Sequence, residues 1–236
     1  MKQSLNAFHL KLIAIVAMLI NHIGHVFELE NNHPALYFLT LFIGLLTFPI
    51  MAFLLVEGFH YTRNRSKYAL RLFVFALISI LPFTYTFHLS FWLPNNIFFT
   101  LLLGLLSIMI LEKGFDGVAN VFGIIGLVTL SLVFDWSPFG IFLIMAFYSL
   151  RGHPQAYFKP IFITCFLMII LEGIGYLGGA LSWYEVLANL GILLVIPILK
   201  AYNGERGYNP IWVKWGFYAF YPIHLTLLYA IYYFLH

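Results

Sequence analysis

Charge is what this 236-residue chain has least of: 9% of its residues are Asp, Glu, Lys or Arg, while 62% are hydrophobic and the mean hydropathy is +0.93. That poverty excludes an ordinary soluble domain, in which roughly a quarter of residues are charged. The single cysteine, Cys165, excludes a disulfide framework. Internal repeats and low-complexity tails are missing, and a formal charge of +3 gives no reason to invoke nucleic acid. No polar–apolar alternation of a strand is sustained. The first apolar run has no small-x-small cleavage pattern and reads as an anchor rather than a removed signal peptide. What is present is a succession of long apolar runs, expected to form an all-α, polytopic transmembrane bundle with residues 1–236 as one integral-membrane domain.

A helix needs about 20 residues to cross the hydrocarbon core. Nine runs qualify as spans: Phe8–Phe27, Pro34–Phe59, Tyr68–Phe87, Ile97–Leu111, Val118–Phe134, Phe139–Leu150, Phe158–Gly178, Val186–Leu199 and Trp215–Leu235. The sixth is short and approaches a span only if Trp136 and Ser137 join it. Charge argues for keeping it. With nine spans and a cytoplasmic N-terminus, every Lys and Arg from Lys2 to Lys214 falls inside, while Glu28, Glu30, Asp135 and Glu185 fall outside. Without the sixth span, Arg151 through Lys214 would move outside, against the positive-inside bias. The expected topology is N-in and C-out.

Polar groups at membrane depth are costly and each needs a reason. The first span holds Met18-Leu-Ile-Asn-His-Ile-Gly-His25, with His22 and His25 on one helix face. His25 reads as an interfacial or structurally bonded histidine. For His22, deeper and next to Asn21, a structural and a functional reading stand side by side. A metal site would need a third ligand, and none is predicted. The second span ends on Glu57, followed by Arg63, Arg65, Lys67 and Arg71. These cations can simply obey the orientation rule and bind lipid headgroups, or their guanidinium forks can hold a polyanion such as an acyl-CoA. Asn96, Thr100 and Gly104 form a small-residue stripe suited to helix packing, with a substrate contact from Asn96 as the second reading. Glu172 sits among glycines with no assigned role. In the last span, Tyr218, Tyr221 and His224 share adjoining surfaces, and Pro222 frees a carbonyl. A hydrogen-bonded structural histidine and a catalytic one are both open readings of His224.

Taken together, Leu12-Ile-Ala-Ile-Val-Ala-Met-Leu-Ile-Asn-His-Ile-Gly24, Phe48-Pro-Ile-Met-Ala-Phe-Leu-Leu-Val-Glu-Gly-Phe59, Thr62-Arg-Asn-Arg-Ser-Lys-Tyr68, Asn96-Ile-Phe-Phe-Thr-Leu-Leu-Leu-Gly104 and Phe217-Tyr-Ala-Phe-Tyr-Pro-Ile-His-Leu225 resemble the TraX family over nearly the whole chain. The family's namesake acetylates the N-terminus of F-type conjugative pilin. More distantly, the histidines of the first and last spans look like those of membrane acyltransferases that modify sugars from cytoplasmic acyl-CoA. The resemblance implies a multi-pass protein of the bacterial cytoplasmic (inner) membrane. Its donor would be acetyl-CoA or another acyl-CoA, and its acceptor an envelope pilin, peptide, glycan or lipid. It implies His22 as general base, or as the carrier of an acyl-histidine intermediate, and His224 as the group that orients the acceptor or polarises the thioester. Arg63, Arg65 and Arg71 would hold the donor phosphates, Glu57 would set their geometry as the third member of the catalytic set, and Asn21, Asn96, Tyr218 and Tyr221 would contact substrate. One departure stands out: the family pattern has Asp before the first-span histidine, and this chain has Asn21. A neutral amide does not stabilise an imidazolium as a carboxylate does, which argues against a tight acid–base dyad there.

Two other classes compete. A multipass transporter would use the same intramembrane His, Glu and Asn groups, but no paired broken helices occur in matching halves. A non-catalytic envelope assembly factor would use the aromatic surface, with 26 Phe and 15 Tyr in the chain.

Overall fold

The computed structural model describes residues 4–91, 96–113 and 117–235, so Lys2, Asn95 and His236 lie outside it. The elements in chain order are α1 (Ala7–Val26), α2 (Leu29–Asn32), α3 (Pro34–Gly44), α4 (Thr47–Tyr61), α5 (Arg65–Ile78), α6 (Ile80–Thr86), α7 (Ile97–Lys113), α8 (Gly117–Ser131), α9 (Ser137–Ser149), α10 (Lys159–Leu177), α11 (Trp183–Ala188), a 3₁₀ turn (Asn189–Leu194), α12 (Val195–Lys200) and α13 (Ile211–Leu235). The described residues form no named strand. Four stretches are long and apolar enough to cross a membrane: Ala7–Val26, Pro34–Tyr61, Lys159–Leu177 and Trp183–Lys200. The bent pair α5–α6 makes a fifth. The chain is therefore an all-helical membrane protein with four to five candidate spans.

Three of the expected spans are broken, and each break has the same cause. Proline cannot donate to the carbonyl four residues back, and its ring crowds that carbonyl. Pro49 faces Leu45 in this sense, Pro82 faces Ile78, and Pro197 faces Leu193. Those are the places where α3 gives way to α4, α5 to α6 with a 40° bend, and the 3₁₀ turn to α12. Each proline sits third in its new helix, within the first turn, where a missing N–H is tolerated.

Helices α4 and α7 form the centre, with Phe48, Ile50, Phe59, Leu105 and Ile108 fully buried. Around them pack α1, α5, α8 and α9, while α13 packs on α6 and α1. The stripe on α7 serves packing, as close helix approach in lipid requires. Thr100 and Gly104 are buried against α9, where a side chain added at Gly140 would meet Thr100 and Phe48, and one at Gly104 would meet Ile144. Phe48 stacks on Trp136 at 4.6 Å. The Thr100 hydroxyl also donates to the Asp135 carbonyl, tying α7 to the α8–α9 turn.

The two ends of the bundle differ in charge. At one, residues 4–8 pair with the 201–206 loop through Leu5 N to Ala201 O at 2.9 Å and Ala7 N to Glu205 O at 2.8 Å. Gly207, at φ +66°, presses on Asn6 where no side chain would fit, and this turn carries Arg206 toward Tyr61. Lys11, Arg71 and Lys214 gather at this basic end. At the other end Glu30 accepts from the Tyr184 hydroxyl at 2.8 Å, near Glu185 and Tyr37.

Candidate functional site

Along α1 the buried residues Leu10, Ala14, Met18, His22 and Val26 recur every four residues, so His22 continues the stripe that faces the bundle. On α13, Tyr221, His224, Leu225 and Leu228 form the corresponding buried face. The two helices pack together and bring His22 Nδ1 within 2.7 Å of His224 Nε2. The ring planes are parallel within 2° and their centroids are 5.0 Å apart. With the nitrogens so much closer than the centroids, the rings meet edge to edge in one plane as hydrogen-bond partners, not face to face.

The backbone fixes the proton positions in the neutral pair. His224 Nδ1 lies 2.8 Å from the Phe220 carbonyl, which only accepts, so Nδ1 carries the hydrogen. The Nε2 of His224 is then a lone pair, and His22 must donate to it from Nδ1. That leaves the Nε2 lone pair of His22 without a hydrogen bond among the described residues. A lone pair held in a fixed direction, with a second imidazole behind it, is what a proton acceptor requires.

His22 lines a cavity of about 530 Å³ together with Asn21, His25, Tyr37, Asp135, Glu172, Glu185, Asn189 and Tyr221. No Lys or Arg among the described residues lines it, and its carboxylates are Asp135, Glu172 and Glu185. Glu172 accepts from the Asn189 amide, which gives that carboxylate its partner. Burial pushes the Asp135 carboxyl up to about 6, although the Trp136 N–H bonded to it pulls the other way. His25 is exposed and bonds the Tyr37 hydroxyl at 3.2 Å, as an interfacial histidine does.

A second cavity, about 320 Å³, opens at the basic end and is lined by Lys11, Arg71, Arg206 and Lys214, with Met51, Leu54, Leu55 and Leu101 among its apolar walls. None of these four cations is in an ion pair among the described residues. The buried Nε of Arg71 has no hydrogen-bond partner, and its guanidinium lies 5.3 Å from the Tyr68 ring centre. A guanidinium without a carboxylate partner, beside cationic amines and an apolar wall, is a setting for a phosphate-bearing, partly apolar ligand. Tyr202 also lines it, its phenol pushed up to about 12 by burial and by the Glu57 carboxylate. The two cavities are backed against one aromatic layer. Phe98 and Tyr218 line the basic cavity and Tyr221 the acidic one; Phe98 stacks near-parallel to Tyr218 and meets Tyr221 edge-on at 5.3 Å.

Several residues singled out from the sequence stand elsewhere. Glu57 lines the basic cavity but bonds Arg151 Nε at 2.8 Å, not Arg63, Arg65 or Arg71, and it does not line the cavity that holds His22. That bond raises the Arg151 guanidinium pKa above its ordinary value. Arg65 pairs with Glu112 and lies over the Phe59 ring at 4.1 Å, and Arg63 is exposed; neither lines either of these two cavities. Asn96 is fully buried, donates to the Ala76 carbonyl at 3.0 Å and accepts from Phe98 N at 3.2 Å, so its amide holds α5 to the start of α7. Asn21 lines the histidine cavity but packs on Gly44 of α3 instead of orienting His22. Lys11, Arg206 and Lys214 look in the sequence like orientation charges alone; the rings beside Lys11 and Arg206, Phe217 and Tyr61, come from distant segments, and only Trp215 beside Lys214 is adjacent in the chain.

Fold and site together define a helical membrane protein with a buried histidine pair, one ring of which lines an acidic cavity, and a separate basic cavity. The chain belongs to the TraX family: the family described as TraX protein matches residues 7–232. It is 31% identical over 234 residues to the probable fimbrial assembly protein FimC, serogroup H1, of Dichelobacter nodosus, covering 94% of each chain. No solved structure matches.

Proposed function

We propose that this protein is an integral-membrane acyltransferase that moves an acetyl or other acyl group from cytoplasmic acyl-CoA to an envelope acceptor, with the N-terminal amine of a pilin as the leading candidate. The observation that carries the reading is the hydrogen-bonded His22–His224 pair, whose uncommitted lone pair belongs to the acidic cavity while the basic cavity lies behind the same aromatic layer. Arg71, Arg206, Lys11 and Lys214 would hold the donor's phosphates. His22 Nε2 would take the proton from the attacking nucleophile, and His224 would hold the ring and share the charge. Asp135, Glu172 and Glu185 favour an acceptor that arrives as an ammonium over a neutral hydroxyl. The FimC relative and the family's namesake both point to pilus biogenesis. The proposed enzyme crosses the cytoplasmic membrane nine times, with the N-terminus cytoplasmic and the basic cavity facing the inner side.

Purified protein in detergent, given acetyl-CoA and a synthetic pilin N-terminal peptide, should release CoA and yield a peptide heavier by one acetyl group in mass spectrometry. Calorimetry on the same preparation should show weaker acetyl-CoA binding for Arg71→Lys and Arg206→Lys, because an ammonium does not replace a guanidinium fork. Arg63→Lys should bind as the wild type does. Donor binding unchanged by all three, with no acetylated peptide, would return the protein to a non-catalytic assembly role.

A further inference from the structure

Tyr221 is 2% exposed, yet its hydroxyl has no hydrogen-bond partner of normal geometry among the described residues. The Ile97 amide at the start of α7 lies on the accepting side of the phenol oxygen, so it is the O–H proton that has no acceptor among these residues. A buried, unmatched hydroxyl destabilises the fold, and its persistence in a packed core asks for a ligand. Its place suggests which one. The Tyr221 ring lies 6.0 Å from that of His22 and 5.6 Å from that of His224, centre to centre. It lines the acidic cavity, and its edge-on partner Phe98 lines the basic one.

We infer that Tyr221 is a catalytic hydrogen-bond donor to the carbonyl oxygen of the transferring acyl group. The inference rests on the acyltransferase reading and adds the electrophilic half that the histidines do not supply. In the step, the acceptor ammonium first gives one proton to a cavity carboxylate, which passes it to solvent; the free amine then attacks the thioester carbon, a C–N bond forms, and the carbonyl π pair moves onto oxygen. That oxyanion is held by the Tyr221 O–H, which the Ile97 amide dipole polarises further. His22 Nε2 takes the proton from the new ammonium. The oxygen lone pair then re-forms C=O, the C–S bond breaks, and the sulfur leaves with the electron pair and takes that proton back from His22. The products are the amide and CoA-SH, with both histidines restored.

Tyr221→Phe removes one oxygen and leaves the ring in place. Loss of a single donor to an oxyanion costs about 10²–10³ in kcat, so kcat should fall by roughly that factor with acetyl-CoA affinity unchanged. The unfolding temperature should stay the same or rise, because no protein hydrogen bond is lost. Infrared spectra of bound acetyl-CoA labelled with ¹³C at the carbonyl provide a readout that a merely structural tyrosine would not move. The wild type should lower the carbonyl stretch relative to free acetyl-CoA, and Tyr221→Phe should restore it. A kcat within threefold of wild type, or a stretch that is the same in both proteins, overturns the inference while leaving the acyltransferase reading standing. Failure of the wild type to bind acetyl-CoA at all overturns the reading, and the inference with it.

Discussion

Proton placement in this molecule is decided by single bonds. The Phe220 carbonyl sets the tautomer of His224, His224 sets that of His22, and the free lone pair follows. A histidine pair can do without the carboxylate that Asn21 replaces, since the second imidazole carries part of the charge. That the two histidines meet was legible in the sequence, because neither can stay unpaired in lipid. The partner of Glu57 was not legible, since Arg151 lies 94 positions away and nearer arginines offered themselves. Asp135 gives a prediction at this scale. Its folded value of about 6 stands above the ordinary 3.8, so the native state keeps a proton that the unfolded chain releases between those values. Stability from this group is therefore full below about pH 3.8 and is lost as pH rises through about 6. Asparagine mimics the neutral acid, so Asp135→Asn should match the wild type in unfolding temperature at about pH 4 and exceed it by several degrees at about pH 7. A difference that does not vary with pH would mean the carboxyl is not held neutral by burial.

Elements here begin and end where proline and glycine dictate. Hydrophobic runs located the helices to within a few residues, yet they read Tyr68–Phe87 and Val186–Leu199 as continuous because apolarity does not report a lost hydrogen bond. Pro82 and Pro197 carried that information at the fourth residue before each. The stripe of Thr100 and Gly104 was legible as a packing face, whereas the answering Gly140 on α9 was not, since nothing in one sequence names the opposite surface. Gly140→Leu should drive a side chain into Thr100 and Phe48 and destabilise the protein by about 1–3 kcal/mol, read as a lower unfolding temperature in detergent. Gly126→Ala on α8 is the control, because an added Cβ there meets nothing within 4 Å. Equal losses in both variants would remove the α7–α9 contact from the account.

The whole molecule is organised by charge across an aromatic layer. Four cations and one carboxylate, Glu57, line one cavity and three carboxylates the other, and His22 of the histidine pair lines the acidic cavity. In the proposed reaction this separation keeps an anionic donor and a cationic acceptor on their own sides until Phe98, Tyr218 and Tyr221 admit the acyl group between them. The sequence expects all basic residues on one side by the positive-inside bias, and four of them, Lys11, Arg71, Arg206 and Lys214, do line one cavity. The cavities themselves were not legible there, since their walls come from helices far apart in the chain. The central claim is that His22 and His224 act as one unit in acyl transfer, and a double-mutant cycle on the turnover rate tests it most directly. His22→Ala and His224→Ala should each lower kcat by about 10²–10⁴, the range for a lost general base, and the double variant should be no slower than the worse single one. Losses that multiply in the double variant, or a double variant that turns over at the wild-type rate, would contradict the account.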